Sequence, residues 1–249
     1  MRKVFALAAT ALFIFTSCSS DDNTNVTTPQ DNTLLKKTTY ITEGEATITY
    51  NYTYNDNKII SINGSNGRNT IYTYTGDLIT KSITTEGTLT IQNNIEYDNN
   101  NRKVSQIHLI SQTELNYESG SKTLYTYNEN GTITMTIYIG DLESQTTFDS
   151  TYTITQSEES LIQFDGDLGS YSNVFDNKKN PMKNVTGYNE FMKPESSSKN
   201  NLLFGYKKND TSDYIFTYTY ALSNYPITST QKILTNGVYK TYYLEYFYE

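Results

Sequence analysis

One phrase recurs along this chain of 249 residues: a strand ending on tyrosine, a turn of Asn, Asp or Gly, and a returning apolar-polar strand. Tyr52-Thr53-Tyr54 is followed by Asn55-Asp56-Asn57 and then Lys58-Ile59-Ile60-Ser61-Ile62. Tyr72-Thr73-Tyr74 leads through Thr75-Gly76-Asp77 to Leu78-Ile79, then Lys81, Ser82 and Ile83. Ile95-Glu96-Tyr97-Asp98 meets three asparagines before Arg102 to Ile107, and Tyr125-Thr126-Tyr127 turns at Asn128-Glu129-Asn130-Gly131 into Thr132-Ile133. Side chains alternate between faces along a strand, so Tyr50, Tyr52 and Tyr54 share one face while Thr49, Asn51 and Thr53 share the other. Each copy is a β-hairpin, because Asn, Asp and Gly accept the backbone conformations that tight turns require. The second tyrosines stand at 54, 74, 97 and 127. Constant phase with a variable period describes hairpins joined by connections of unequal length.

The expected fold is all-β: an extended antiparallel meander of repeated hairpins forming a twisted sheet. Composition agrees, with 24 Tyr, 10 Phe and no Trp, since Tyr and Thr suit a half-wet pleated surface. Only four prolines interrupt the chain. Phe175-Asp176-Asn177 starts like a further copy, but Pro181 lacks an N–H and breaks the returning strand. One irregular insertion is therefore expected near residues 171–213, as an excursion over the surface with a short helical turn at Tyr188 to Met192. Strands resume at Tyr214 to Tyr220, from Ile227, and from Tyr239 to Tyr248 after the Asn236-Gly237 turn. Tyr242, Leu244, Tyr246 and Tyr248 share a face, which places the last strand deep in the sheet.

These motifs resemble the YD repeat of Rhs-like proteins. The hairpins between about residues 48 and 182, with the ending Leu244-Glu245-Tyr246-Phe247-Tyr248, look like YD-repeat-type surface lipoproteins of the Bacteroidota. That resemblance implies an extended antiparallel sheet and carries no established chemistry.

The N-terminus supplies an address. Arg2 and Lys3 precede the twelve-residue run Val4 to Phe15, broken only by Thr10, and Phe15-Thr16-Ser17 leads to Cys18, the sole cysteine. A spanning helix needs about 20 apolar residues, so residues 1–17 read as a signal peptide. Ser17-Cys18 resembles a lipobox, which implies acylation of Cys18 and attachment to the outer membrane through that lipid. Ser19-Ser20-Asp21-Asp22 resembles the acidic signal of surface-exposed lipoproteins, with a periplasm-facing position as the second choice. Residues 18–32 are the acylated cysteine and a flexible tether, and 33–249 a single all-β domain.

Seventeen Lys and Arg remain against 27 Asp and Glu once Arg2 and Lys3 are removed, about −10. No basic cluster survives, which argues against nucleic acid as a partner. With Cys18 lipidated, neither a disulfide nor a cysteine nucleophile is available.

His108 is the only histidine, flanked by Ile107 and Leu109 in a strand, and no Gly-x-Ser-x-Gly elbow accompanies it. Its plain reading is a partly exposed strand residue. Glu158-Glu159, Asp165 and Asp167 are candidate carboxylates for glycoside cleavage. Phe164-Asp165-Gly166-Asp167 and Asn55-Asp56-Asn57 offer oxygens to Ca²⁺ but lack the EF-hand register, and turn chemistry accounts for both. Asp149-Ser150-Thr151 matches a short O-glycosylation motif, and the Asn-x-Ser/Thr sites at Asn51, Asn63, Asn130, Asn184 and Asn209 carry no weight in a bacterial chain. Tyr50, Tyr52, Tyr54, Tyr72, Tyr74, Tyr97, Tyr125 and Tyr127 serve either as structural cross-strand pairs or as a platform for sugars or peptides, and the structural role is the expectation. The chain is thus expected to be a lipid-anchored, non-enzymatic binding or scaffolding protein of the cell envelope, needing no cofactor or metal. A glycan-capture lipoprotein working with an outer-membrane transporter, a carboxylate-dependent hydrolase, and a protein-binding immunity or adhesion role are the alternatives.

Overall fold

The computed structural model describes residues 31–157, 160–197, 199–207, 212–235 and 237–249; Cys18, its leader and nearly all of the tether lie outside them. Residues Asn32–Glu249 form one compact unit. Its first eight strands are β1 (Leu35–Ile41), β2 (Ile48–Asn55), β3 (Lys58–Gly64), β4 (Asn69–Thr75), β5 (Leu78–Glu86), β6 (Leu89–Tyr97), β7 (Lys103–Gln112) and β8 (Tyr117–Tyr127). They continue as β9 (Ile133–Gly140), β10 (Gln145–Ser157), β11 (Leu161–Gly166), β12 (Gly169–Phe175), β13 (Leu202–Lys207), β14 (Ser212–Tyr220), β15 (Pro226–Thr235) and β16 (Val238–Tyr248).

Every strand pairs with the next, and β1 pairs antiparallel with β16 through Thr38 opposite Tyr246 and Tyr40 opposite Leu244. The antiparallel meander is as expected, but it closes into a barrel where an open twisted sheet was anticipated. Closure depends on pairing between the first and last strands, and no local period encodes that pairing. It also removes both sheet edges, which a chain without disulfides would otherwise have to protect. The last strand accordingly lies between β15 and β1.

Period-two patterning sends the tyrosines inward. Asn51, Thr53, Thr73, Glu96, Thr126, Asp165, Thr217 and Glu245 alternate with them and are exposed on the outer wall. In each hairpin the second tyrosine lies opposite the first inward residue of the returning strand: Tyr54 with Ile59, Tyr74 with Ile79, Tyr97 with Lys103, Tyr127 with Ile133. Ile59 and Ile79 are wholly buried. A bulge follows in the first three hairpins, so that Ile59 and Ile62, or Lys103 and Gln106, both point inward.

The tyrosine hydroxyls have a second structural task. At the mouth where these turns lie, β2 is joined to β3 and β4 to β5, while β1 and β2, or β5 and β6, have no covalent link there. Hydroxyls bridge those gaps. Tyr54 donates to the Leu35 carbonyl (2.8 Å), Tyr97 to Ile79 (2.8 Å), Tyr127 to Lys103 (3.0 Å), Tyr218 to Leu202 (3.0 Å) and Tyr248 to Pro226 (3.0 Å). Tyr74 accepts from the Ile59 N–H at 3.1 Å. The structural reading of these rings therefore holds, with the hydroxyl as much involved as the ring.

The insertion runs from Asp176 to Asn201, shorter than the expected 171–213, because β12 and β13 extend into its flanks. Its helix α1 (Tyr188–Met192) stands where the sequence suggested a helical turn. It does not run over the surface. Met182, Val185, Tyr188 and Phe191 pack against Tyr52, Tyr54, Tyr72 and Tyr74 inside the barrel, where an apolar-aromatic lumen receives them. The insertion is a plug.

Candidate functional site

A barrel of sixteen strands is wide enough to leave an aqueous channel. Here the plug closes the mouth that carries the Tyr-bearing turns. Its two ends are pinched together: Asp176 N–H donates to the Asn201 carbonyl (2.9 Å), and Asn201 N–H donates back to the Asp176 carboxylate (2.9 Å). The Tyr220 hydroxyl donates to the same carboxylate. From that base the plug reaches around the mouth. Asn184 donates to the Thr33 carbonyl and to the Tyr225 hydroxyl, Thr186 N–H to the Asn57 carbonyl, and Gln156 to the Pro194 carbonyl. Gly187 has φ +72°, and a Cβ there would lie 2.2 Å from the Asp77 carbonyl oxygen; the close approach of plug to hairpin requires glycine.

One contact is ionic. Lys103 occupies the inward position held by Ile59, Ile79 and Ile133 in the other copies, with its side chain 3% exposed. Its Nζ lies 3.1 Å from Glu195 of the plug and 3.1 Å from the Gln106 side-chain oxygen, while the Tyr125 hydroxyl donates to Glu195. Burial pushes the Lys103 ammonium below its usual range, with Glu195 opposing that shift. Sequence reading passed over this residue. Superposing the four copies would have exposed a lysine where isoleucine is the rule.

Among the described residues, two cavities flank the plug. On its outer side a space of about 480 Å³ is lined by Asp77, Arg102, Lys103, Glu190 and Lys193 together with Tyr127 and Gln156. Charges of both signs meet there. On the inner side lies a cup of about 240 Å³. Tyr40, Tyr52, Tyr218 and Tyr246 wall it, Tyr188 and Met192 of the plug form its floor, and Gln231 overlooks it. Burial pushes Tyr40, Tyr52, Tyr188, Tyr218 and Tyr246 above the ordinary phenol range, so all five are neutral at physiological pH.

Toward the opposite mouth the inward residues of β4 to β7 become polar and only half-buried: Thr70, Thr84, Asn93, Gln106 and His108, whereas β8 to β12 keep an apolar-aromatic cluster that includes Met135, Tyr152 and Phe164. The His108 Nδ1 lies 2.8 Å from Asn93 Oδ1, which also accepts from Gln106 (3.2 Å), while Asn93 donates to Ser82 Oγ (3.1 Å). His108 is therefore a donor at Nδ1, and burial lowers its pKa. His108 is thus a half-buried strand residue hydrogen-bonded to its neighbours, the position its sequence context suggested.

The remaining sequence candidates scatter. Asp165 is exposed on the outer wall, Asp167 accepts from the Thr151 N–H (3.0 Å), and Glu158 and Glu159 lie outside the described residues. Asn57 uses its carbonyl on the plug. Asp56 takes the left-handed conformation its turn needs. Among the described residues no group of three His, Cys, Asp or Glu is placed to hold a metal. Ser150 of the Asp149-Ser150-Thr151 motif is wholly buried, with its hydroxyl on Asp149 (2.8 Å). That serine is inaccessible to a glycosyltransferase in the folded chain. Asn51 and Asn63 pair across β2 and β3, Asn130 sits in a turn, Asn184 ties the plug to Thr33 and Tyr225, and Asn209 lies outside the described residues. Tyr188, Tyr218, Tyr246 and Gln231 gave no individual signal in the sequence, because only closure brings β14, β15 and β16 next to β1.

No protein-family model matches the chain, and no curated protein does. Among solved structures it is similar to the crystal structure of a porin-like protein from Bacteroides uniformis, at 11% identity and a TM-score of 0.48, covering 86% of this chain and 96% of that one.

Proposed function

We propose that this chain is a non-enzymatic binding protein of the cell envelope, a water-facing barrel of YD-like hairpins held at the outer membrane by acyl chains on Cys18. The observation that carries this is the polarity of the wall. A barrel embedded in lipid presents an apolar band about 25 Å tall, and a Lys or Arg at its midplane costs about 2–4 kcal/mol. Here the wall exposes Thr, Asn and Gln on strand after strand, with Glu96, Asp165, Lys232 and Glu245 among them, and Ile60, Ile71, Phe148, Tyr243 and Phe247 are interspersed with these polar groups, while most of the repeat tyrosines face the lumen. Such a surface is solvated by water and leaves lipidation as the means of attachment.

The covalent path supports an orientation. Leu34 pairs with Glu249 beside the plug, so a tether leading to Cys18 departs from the closed mouth. The half-buried polar mouth then faces away from the membrane, and the cup behind it is the binding site.

Two measurements test this. Residues 32–249 without the N-terminal segment should be recovered in aqueous buffer with no detergent, and the full chain should incorporate labelled palmitate that Cys18→Ala abolishes. A fragment that stays dispersed only in detergent would place the barrel in the bilayer and overturn the reading.

A further inference from the structure

We infer that the inner cup takes the terminal ring of a neutral saccharide, with the rest of the saccharide lying along the polar wall toward the open mouth. This rests on the binding role proposed above and names the ligand of that site. The first argument is charge. The cup is lined by tyrosine, amide, hydroxyl, methionine and aliphatic side chains, and among the described residues no Asp, Glu, Lys, Arg or His lines it. A carboxylate, sulfate or ammonium group entering it would lose its water with no counter-charge in return. Charge is not foreign to the barrel, since Asp77, Arg102, Lys103, Glu190 and Lys193 surround the cavity on the other side of the plug. The two spaces are lined by opposite rules.

The second argument is hydrogen-bond direction. Tyr218 has spent its proton on the Leu202 carbonyl, so its oxygen can only accept from a ligand. Tyr52 shares a hydrogen bond with Thr38 (3.3 Å), and Tyr246 shares one with Ser229 (2.9 Å). Tyr218 thus offers only lone pairs, while in the other two pairs one hydroxyl donates and its partner keeps its proton, so the ligand must bring at least one donor and match neutral hydroxyls without bringing charge. A purely apolar ligand would strand those oxygens. A pyranose ring carries hydroxyl donors on its rim and C–H groups on its faces, and the C–H faces suit the rings of Tyr40, Tyr52 and Tyr246.

Size and continuation point the same way. At about 240 Å³ the cup falls below the roughly 300 Å³ at which pockets begin to engulf drug-sized ligands. It holds an end and not a whole oligomer. The next wall toward the open mouth, on β4 to β7, presents Thr70, Thr84, Ser82, Asn93, Gln106 and His108, a row of hydroxyl, amide and imidazole groups already linked to one another.

The test is titration calorimetry of the purified full chain in detergent against neutral hexose oligosaccharides, uronate-bearing oligosaccharides of equal length, and uncharged peptides. Neutral saccharides should bind, and the uronates should bind at least about ten-fold more weakly. Gln231→Leu and Tyr40→Phe should each weaken neutral binding by about 3–10-fold, the loss of one hydrogen bond. The outward Thr217→Ala should leave it unchanged, and thermal melts of all three variants confirm that they fold. Uronates binding as tightly as neutral sugars, no saccharide binding, or neutral binding that ignores both cup variants would each overturn the inference. Peptide binding in place of sugar would overturn the ligand class and leave the binding role standing. Failure of the barrel to dissolve without detergent would remove the binding role itself.

Discussion

The two mouths of this barrel are finished by different chemistry. At the closed mouth tyrosine hydroxyls bind the strands that lack a turn, the plug is hydrogen-bonded to hairpins around the rim, and a buried ion pair joins plug to wall. At the open mouth β4 to β7 present half-buried Thr, Asn, Gln and His side chains. One set of sixteen strands thus carries stability at one end and accessibility at the other. Removing a group from the closed mouth should cost stability, whereas the open mouth should tolerate change.

The broadest way to break this contrast is alkaline pH. Burial raises the lumen tyrosines, with Tyr74, Tyr127 and Tyr171 pushed up to about 12 and Tyr52, Tyr97 and Tyr248 higher. A phenol whose folded pKa exceeds its unfolded value near 10 keeps its proton longer in the fold, so the unfolded chain ionises first and stability falls as pH rises past about 10. Lys103 acts in the opposite sense. Its lowered pKa means that the unfolded chain holds a proton the fold has released, which favours the fold as pH climbs toward about 10.5. One lysine is outnumbered by the tyrosines. Circular dichroism should show cooperative unfolding above pH 10 with phenolate absorbance rising in the same step; phenolate appearing gradually in a still-folded barrel would mean the rings are wet.

Next in size is the ion pair. Glu195→Leu leaves Lys103 buried without its partner and should cost about 3 kcal/mol in a denaturant melt. Adding Lys103→Ile, the residue of the other copies, should restore most of that loss. A double variant no better than Glu195→Leu alone would show that the pair is not the plug's fastening. Tyr74→Phe should cost about 1–2 kcal/mol, because it strands the Ile59 N–H and the Thr186 carbonyl. The smallest effect belongs to the open mouth. His108→Ala should change stability by less than about 1 kcal/mol, and a larger loss would make that mouth as structural as the other.

Much of this fold was legible in the chain. The hairpins, their phase, the shared tyrosine face and the helix at Tyr188 to Met192 all follow from side-chain periodicity and turn residues, which are local properties. Closure was not legible, because the pairing of Thr38 with Tyr246 joins residues at opposite ends of the sequence. The place of the plug was hidden for a related reason: Met182, Val185 and Phe191 look like ordinary loop residues until a lumen exists to receive them. The cup suffered most. Tyr40, Tyr188 and the hairpin carrying Gln231 and Tyr246 come from three distant stretches that only the closed barrel gathers.

The even strand number has one more consequence. Because sixteen strands alternate in direction, Leu34 and Glu249 meet at a single mouth, and the chain is a ring cut at one seam. Gaining or losing a whole hairpin would widen or narrow the ring and still return both ends to that seam. Such a ring can change its bore in steps of two strands while Leu34 and Glu249 stay side by side.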